Sequence, residues 1–519
     1  MKRLTALLLA LILVFTLAAC GGAKSTETAD ELHIVPPELT TNLDIVTNTS
    51  DSAALIVSGS VFEQLVTANA DYEPVAELCT NWEINDDCTE YVYHLRQGVK
   101  FHNGQEMTAD DVVASMNRWI DSVEAANDFV GGSHFEKVDD YTVKITMDSP
   151  FAYLNNLMAS YANHPIIVPA SVIENIDETG ILSEFIGTGP YAVSEVKEDQ
   201  YVKLEKFDEY QPYGTDGDYS GWAGYKNAYI STIYFDYIAD ENTITSSLQT
   251  GQVQACSGMG YDSYDMFVED PSFNVTMSSA EMPMLIFNKQ EGSTTDAAVR
   301  RGIAAALDAN AILYGAYGSE DFYELNSSYM FPSQEAWYTD AGGEYYNQAD
   351  PEKAVQILTE AGYDFNKPFK ILVSSDSTDF YAMAVIIKGQ LDAAGIPCEL
   401  LTYDWSTFVS IRNDEPDKYN AFITSFSPKT VPSMNLYLSP GWAGWCTDAR
   451  IQNDLKTINA STSVEEGSAV WKDLQEYMWA DNMPVVNFGI QKVFMISSAD
   501  VQGMSYFEHM CYVNASFDK

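Results

Sequence analysis

The stretch NWEINDDCTEYVYHLRQGVKFHNGQEMTADDVVASMNRW, Asn81 to Trp119, carries three local signals in succession. Trp82-Glu83-Ile84 and Tyr91-Val92-Tyr93-His94-Leu95 are apolar and aromatic runs separated by the polar Asn85-Asp86-Asp87, the pattern of two strands joined by a turn. Gly98, Asn103 and Gly104 punctuate the next segment. Thr108 then precedes Ala109-Asp110-Asp111, an N-cap with an acid three residues on, although the usual capping-box acid is glutamate. Behind it Val112, Val113, Met116 and Trp119 recur at helical spacing, so a helix starts near Thr108.

Outward toward the C-terminus the signals change to those of alternating strands and helices. Asp350 and Pro351 supply an N-cap and an N1 proline, Gly362 supplies a stop, and Val355 and Leu358 are expected to point inward. Phe369 to Val373 is a short β-rich run. A helix is expected from about Phe380 to Ala394, with Met383, Ile386, Ile387 and Leu391 on one side and Gly395 as its stop. Cys398 to Tyr403 is strand-like again. Strand, helix, strand at this length is a βαβ unit, which implies parallel pairing with a right-handed crossover. Residues 276 to 489 are therefore expected to form an α/β lobe.

Outward toward the N-terminus, Lys2 and Arg3, an apolar segment from Leu4 to Phe15 and the small-residue approach Leu17-Ala18-Ala19 to Cys20 have the anatomy of a cleaved secretory signal. LAAC resembles the bacterial lipobox, which implies a lipid on Cys20. Residues 1–20 then read as signal and lipobox, and 21–30 as a flexible tether. No later run is long enough to span a bilayer, for which about 20 apolar residues are needed. With 46% hydrophobic residues the body reads as packed and globular. Its 75 acidic against 27 basic residues give a formal charge of −48, which repels nucleic-acid phosphates and anionic headgroups alike. Nucleic-acid binding is excluded, and the only membrane contact expected is the lipid.

Beyond Cys20 lie Cys79, Cys88, Cys256, Cys398, Cys446 and Cys511. Cys79 and Cys88 flank the turn at Asn85-Asp86-Asp87, and either they face each other across the hairpin as a disulfide or the thiols are free and buried. No cysteine or histidine spacing suits zinc, and no metal or cofactor is expected.

The stretch from Asn81 to Trp119 resembles the signature region of the family 5 extracellular solute-binding proteins, receptors of ABC importers. So do GTGPYAVSEV with YVKLEKFDEY after it (from Gly187), SSLQTGQVQA (Ser246 to Ala255), RRGIAAALDANAILYGAYG (Arg300 to Gly318) and DPEKAVQILTEAGYD (Asp350 to Asp364). The resemblance implies an α/β, two-lobed periplasmic-binding-protein-like fold of type II, its first lobe enlarged by an extra subdomain and a ligand cleft between the lobes. Residues 31–275 and 490–519 would form the first lobe and 276–489 the second. It also implies a monomer at the outer face of the bacterial cytoplasmic membrane, extracellular or periplasmic. There it would pass a small organic solute of the peptide or oligosaccharide class to ABC permease subunits. The alternative function is a lipoprotein sensor that presents a bound peptide or pheromone to a signalling partner.

No catalytic set competes with this reading. Ser194 and Lys197 match a Ser-x-x-Lys spacing, but Val193 to Val196 reads as a strand, where residues three apart point to opposite faces. Gly187-Thr188-Gly189 before Pro190 is too little for a phosphate cradle. Candidate ligand contacts are aromatic: Trp442 and Trp445 in the glycine-rich LSPGWAGWCTDARI offer flat faces with an N–H handle, unless they plug the lobe's own core. Tyr381 is expected near the cleft at a helix start, whereas Tyr403-Asp404-Trp405 reads as a helix start with a structural role. In SFSPKTVPS, the resemblance places Phe426 where peptide-binding relatives carry a tryptophan, and Lys429 where they carry an aspartate that pairs with a ligand ammonium. Lys429 would suit a carboxylate, phosphate or oxygen-rich ligand, or else point into solvent.

Overall fold

A computed structural model describes residues 30–48, 50–159 and 165–517. The signal, the lipobox Cys20 and all but the last residue of the tether lie outside these. Two sheets dominate. The larger has eight strands, with Phe273–Ser279, Ile490–Ser498, Ala255–Ser257, Glu31–Val35, Thr232–Asp236, Tyr201–Lys206 and Tyr191–Lys197 side by side in that order and Tyr323–Glu324 paired onto Ile490–Ser498. The smaller has five, in the order Cys398–Tyr403, Phe369–Ser374, Ala421–Phe426, Met282–Phe287, Val485–Asn487. No helix among the described residues is long and apolar enough to cross a membrane.

The βαβ unit is present: Phe369–Ser374 and Cys398–Tyr403 pair in parallel from Phe369 opposite Cys398, joined by the helix Thr378–Ala393 with Met383, Ile387 and Leu391 fully buried. In the helix Pro351–Glu360, Asp350 caps by accepting from the Lys353 N–H at 2.9 Å. Its inward pair is Ala354 and Leu358. Val355, expected inward, is only half-buried, because the i, i+4 pair that meets the helix Ala297–Ala305 begins one residue earlier. Asp404 caps Trp405–Asp414 through the Thr407 N–H, the structural role expected of it.

The Asn81–Trp119 region supplies two strands (Cys79–Ile84, Glu90–Leu95) of a four-stranded antiparallel sheet completed by Thr142–Thr146 and Phe135–Asp139, and most of the helix Ala109–Ser122 on it. Asp111 reaches back to the Thr108 N–H at 2.9 Å, so the shorter acid does close a capping box. Val112, Met116 and Trp119 are fully buried. The disulfide across this hairpin does not form. Cys79 stands opposite Leu95 at the open end, while Cys88 lies in the turn at the other end with φ of 55°. All six described cysteines are free and buried.

The GTGPY motif has a packing explanation. A Cβ on Gly187 would lie 2.0 Å from the Val61 carbonyl oxygen, and one on Gly189 2.3 Å from that of Ser60, so neither position admits a side chain. The turn at Ser60-Val61 is held by the Gly189 N–H to Val61 and the Tyr191 N–H to Ser60, at 3.0 and 2.9 Å. His102 fastens the other side: its Nδ1 accepts from the Gly187 N–H at 3.2 Å and its Nε2–H donates to the Gly189 carbonyl at 3.0 Å. Burial lowers this imidazole's pKa to about 4, more than the Gly189 bond and Glu63 raise it, so it stays neutral in that tautomer.

Beneath this turn Lys226 is buried between two carboxylates, 2.6 Å from Glu77 and 3.5 Å from Glu63. Thr188 and Tyr210 donate to Glu63 at 2.9 and 3.0 Å, and the Gln64 N–H donates to Glu77 at 2.7 Å. Burial alone would lower the lysine's pKa, but Glu77 and Glu63 outweigh it and raise it, so the ammonium persists.

Candidate ligand cleft

Two short segments link the sheets directly, beside the longer excursion that carries Tyr323–Glu324 to the larger sheet and back. Ala280-Glu281 joins Phe273–Ser279 in the larger sheet to Met282–Phe287 in the smaller, and Phe488-Gly489 joins Val485–Asn487 in the smaller to Ile490–Ser498 in the larger. The segments run side by side: the Gln491 N–H donates to the Glu281 carbonyl at 2.8 Å, the Ala280 N–H to that of Gln491 at 2.9 Å, and the Phe488 N–H to that of Pro283 at 3.1 Å. Such a ribbon holds its strands in register while a few backbone torsions absorb bending, as a hinge requires. Gly489 sits in it with φ of +145°, and a Cβ there would lie 2.3 Å from the Glu324 carbonyl oxygen.

Against this ribbon lies a cavity of about 370 Å³. Its walls come from the ribbon (Glu281, Gln491), from the larger-sheet side (Ser257, Glu508) and from the loop after Ala421–Phe426 (Ser427, Pro428). The volume falls in the range of pockets that take small organic molecules. Among the described residues its ionisable lining is Glu281, Glu508 and His509. Ser425 Oγ hydrogen-bonds to Glu281, and the Trp222 indole N–H donates to Glu508 at 3.4 Å. Glu508 is held at φ of 58° where the chain turns between Ser505–Phe507 and His509–Cys511.

The two sides of the molecule also touch away from the ribbon. The Ala152 N–H donates to the Asn459 carbonyl and Thr430 Oγ1 to that of Asn156, both at 2.9 Å. Between these bonds the Tyr153 ring, 3% exposed, meets Trp337 edge-on at 5.5 Å, and its hydroxyl reaches the Ser463 carbonyl at 3.5 Å. Gly467 leaves room for that hydroxyl, since a Cβ there would approach it to 2.5 Å.

Two bodies joined by a narrow ribbon and enclosing a cavity fit a receptor that closes on a solute. The profile described as bacterial extracellular solute-binding proteins, family 5 middle, matches residues 73–445. The chain belongs to the family 5 bacterial extracellular solute-binding proteins. As such it is a non-catalytic binding receptor for ABC import, placed extracellularly or in the periplasm. Among similar proteins is the probable peptide ABC transporter periplasmic-binding protein y4tO of Sinorhizobium fredii, 25% identical over 448 residues that cover 83% of each chain. Among solved structures, the agropinic acid complex of AgaA from A. tumefaciens R10 superposes with a TM-score of 0.76 at 21% identity, covering 94% of this chain and 99% of that one. The nonapeptide complex of AppA from Bacillus subtilis gives 0.75 at 19% identity, with the same coverage.

The family 5 fold brings some of the sequence-predicted residues together and leaves others apart. Phe426 and Lys429 do not line the cavity but a pocket beside it too narrow for a solvent molecule, with Ser427 shared between the two. The Lys429 carbonyl is held by the Gln334 side chain, and Lys429 is half-buried. Trp442 backs Phe426 at 5.5 Å in an aromatic group with Phe422, and the Arg412 guanidinium lies over its ring at 5.3 Å. Trp445, half-buried with φ of 46°, does not line the cavity, nor does Trp442. Tyr381 is 43% exposed and lies off the cavity as well.

Glu281, Glu508, Ser257 and Tyr153 escaped the sequence reading. Only Glu281 carries a signal, as a single acid directly before the wholly apolar strand MPMLIF. Ser194 lies in the strand Tyr191–Lys197, as read, and its hydroxyl donates to the Lys203 carbonyl at 3.4 Å.

Proposed function

We propose that this receptor captures an oligopeptide or a similar small organic solute in the cavity at the crossing ribbon and hands it, in the closed form, to an ABC permease. The observation that carries the reading is the cavity itself, enclosed between the ribbon, the larger sheet and the loop bearing Phe426 to Lys429. Ser427 and Pro428 bring the loop to the cavity, and Lys429, in the narrow pocket beside it with Phe426, offers a positive charge next to the cavity for a carboxylate or other oxygen-rich group. In this reading Trp445 and Tyr381 shape the surrounding surface rather than the pocket. Cys20 carries the lipid that holds a monomeric receptor at the outer face of the membrane, since a body of this negative charge does not adsorb there by itself.

The test is to purify the protein without its signal, denature it and identify what it releases by mass spectrometry. Recovery of peptides or of one amphoteric metabolite is expected. Release of a metal chelate or of a lipid would overturn the reading.

A further inference from the structure

The loop that reaches the cavity also reaches the opposite body, and one buried side chain ties it to a second point of contact between the bodies. We infer that Gln334 is a positioning residue for solute capture, coupling the cavity loop at Ser427-Pro428 to the contact around Tyr153 that brings the two bodies together. This deepens the solute-binding reading and rests on it.

Gln334 is 2% exposed, and both ends of its side-chain amide are used. Its Oε1 accepts from the Phe331 N–H at 2.8 Å, and its Nε2 donates to the Lys429 carbonyl, 95 residues away in the chain. A backbone N–H only donates and a carbonyl only accepts, so a single orientation of the amide serves both partners. The Gln334 carbonyl accepts in turn from the Trp337 and Tyr338 N–H groups, each at 2.9 Å, which fixes the turn that presents the Trp337 ring to Tyr153.

Two arms therefore meet at Gln334. In one, Ser427 and Pro428 line the cavity and Thr430, 3% exposed, bonds across to the Asn156 carbonyl. In the other, Trp337 packs on Tyr153. Tyr153 and Asn156 stand at the start of one helix of the opposite body, Leu154–Ala159, so both arms grip the same turn. A solute pressed against Ser427 and Pro428 sets the loop, and Gln334 keeps that setting in step with Trp337. Such a solute shifts closure because the loop makes a contact in the closed form, the Thr430 bond, that parting the bodies removes.

Glutamate has nearly the shape of glutamine without its N–H donors, and would set a carboxylate oxygen against the Lys429 carbonyl; methionine removes both bonds and the charge. Hydrogen exchange on the purified protein reads the coupling at an amide that Gln334 does not touch. The Ala152 N–H donates across the bodies to the Asn459 carbonyl, so its protection reports their contact. In Gln334→Glu and Gln334→Met, and in Thr430→Val, which removes the crossing bond alone, Ala152 is expected to exchange about fivefold faster or more. The strands Met282–Phe287 and Phe369–Ser374 are expected to keep their wild-type protection. Faster exchange at Phe331 and Thr430 with Ala152 unchanged would overturn the coupling, and so would an Ala152 amide unprotected in the wild type. Loosening of the two strands in step with Ala152 would make Gln334 an ordinary core residue and overturn it as well. None of these amides reports what the cavity holds, so failure here leaves the solute-binding reading to its own test on the released molecule.

Discussion

Replacing Tyr153 by alanine tests whether the contact away from the ribbon holds the closed form. The Tyr153 ring is 3% exposed, packs edge-on against Trp337 and lies in the space left by Gly467. Parting the two bodies returns much of it to water. Burial of an aromatic side chain is worth about 1.5–3 kcal/mol, and an edge-to-face pair adds about 0.5–1.5 kcal/mol. Because part of the ring packs within its own body, about 2 kcal/mol is assigned to closure. That shifts the ratio of closed to open molecules roughly 30-fold. The backbone bond from Ala152 to Asn459 and the Thr430 bond to Asn156 remain, so closure is weakened rather than abolished. If the unliganded protein is mostly open, the whole shift appears as a Kd for the released ligand about 30 times weaker. If it is mostly closed, the shift appears as a larger radius of gyration without ligand, measured by X-ray scattering. One readout has to move unless the unliganded protein is closed by far more than about 30 to 1, which wild-type scattering matching the liganded state would reveal. A variant with wild-type scattering in both states and a Kd within twofold of wild type would refute the assignment.

Gly489→Ala places a Cβ against the Glu324 carbonyl at a φ that suits glycine, and about 2–4 kcal/mol of stability is expected to be lost; a urea midpoint equal to wild type would show that the ribbon has slack. Lys226→Met leaves Glu77 and Glu63 facing each other without their cation and should cost about 3–5 kcal/mol at pH 7, checked by the same titration, with a loss under about 1 kcal/mol contradicting it. His102 binds its proton less tightly when folded, about 4 against 6.5, so its contribution is complete above pH 6.5 and is lost as pH falls through 4. The full amount is about 3 kcal/mol. In His102→Gln the fall of stability over that window should be shallower by up to about 1.4 kcal/mol per pH unit; parallel pH curves would count against it.

What the sequence disclosed was local. The strand-turn-strand pattern around Asn85 and the cap at Thr108 depend on residues a few positions apart, as does the alternation from Phe369 to Tyr403, and all are found. The resemblance added the lobes and the cleft. Contacts between distant segments stayed out of reach. Nothing near Gly187 announces that the Ser60-Val61 turn will press on it, and nothing near Glu508 announces Glu281. The disulfide reading of Cys79 and Cys88 failed for a related reason, because a turn between two cysteines does not say where along the ladder each one stands. Aromatic residues were ambiguous: Trp442 has an inward stacking partner and backs Phe426, and only the packing separates such support from direct contact.

The six buried thiols bear on how such a protein matures and ages. Burial raises the pKa of Cys79, Cys256, Cys398 and Cys511 to about 12 and pushes those of Cys88 and Cys446 up as well, so the native state holds little of the thiolate that oxidants attack. The described body can therefore reach its fold without an oxidising catalyst, and in reducing surroundings as readily as in oxidising ones. The protection lasts only while the fold does. A single excursion to the unfolded chain exposes six ordinary thiols with no preferred partner, and a bond trapped between any two of them would block the return. Redox resilience here is inherited from conformational stability, and thiol labelling under native conditions would read that stability directly.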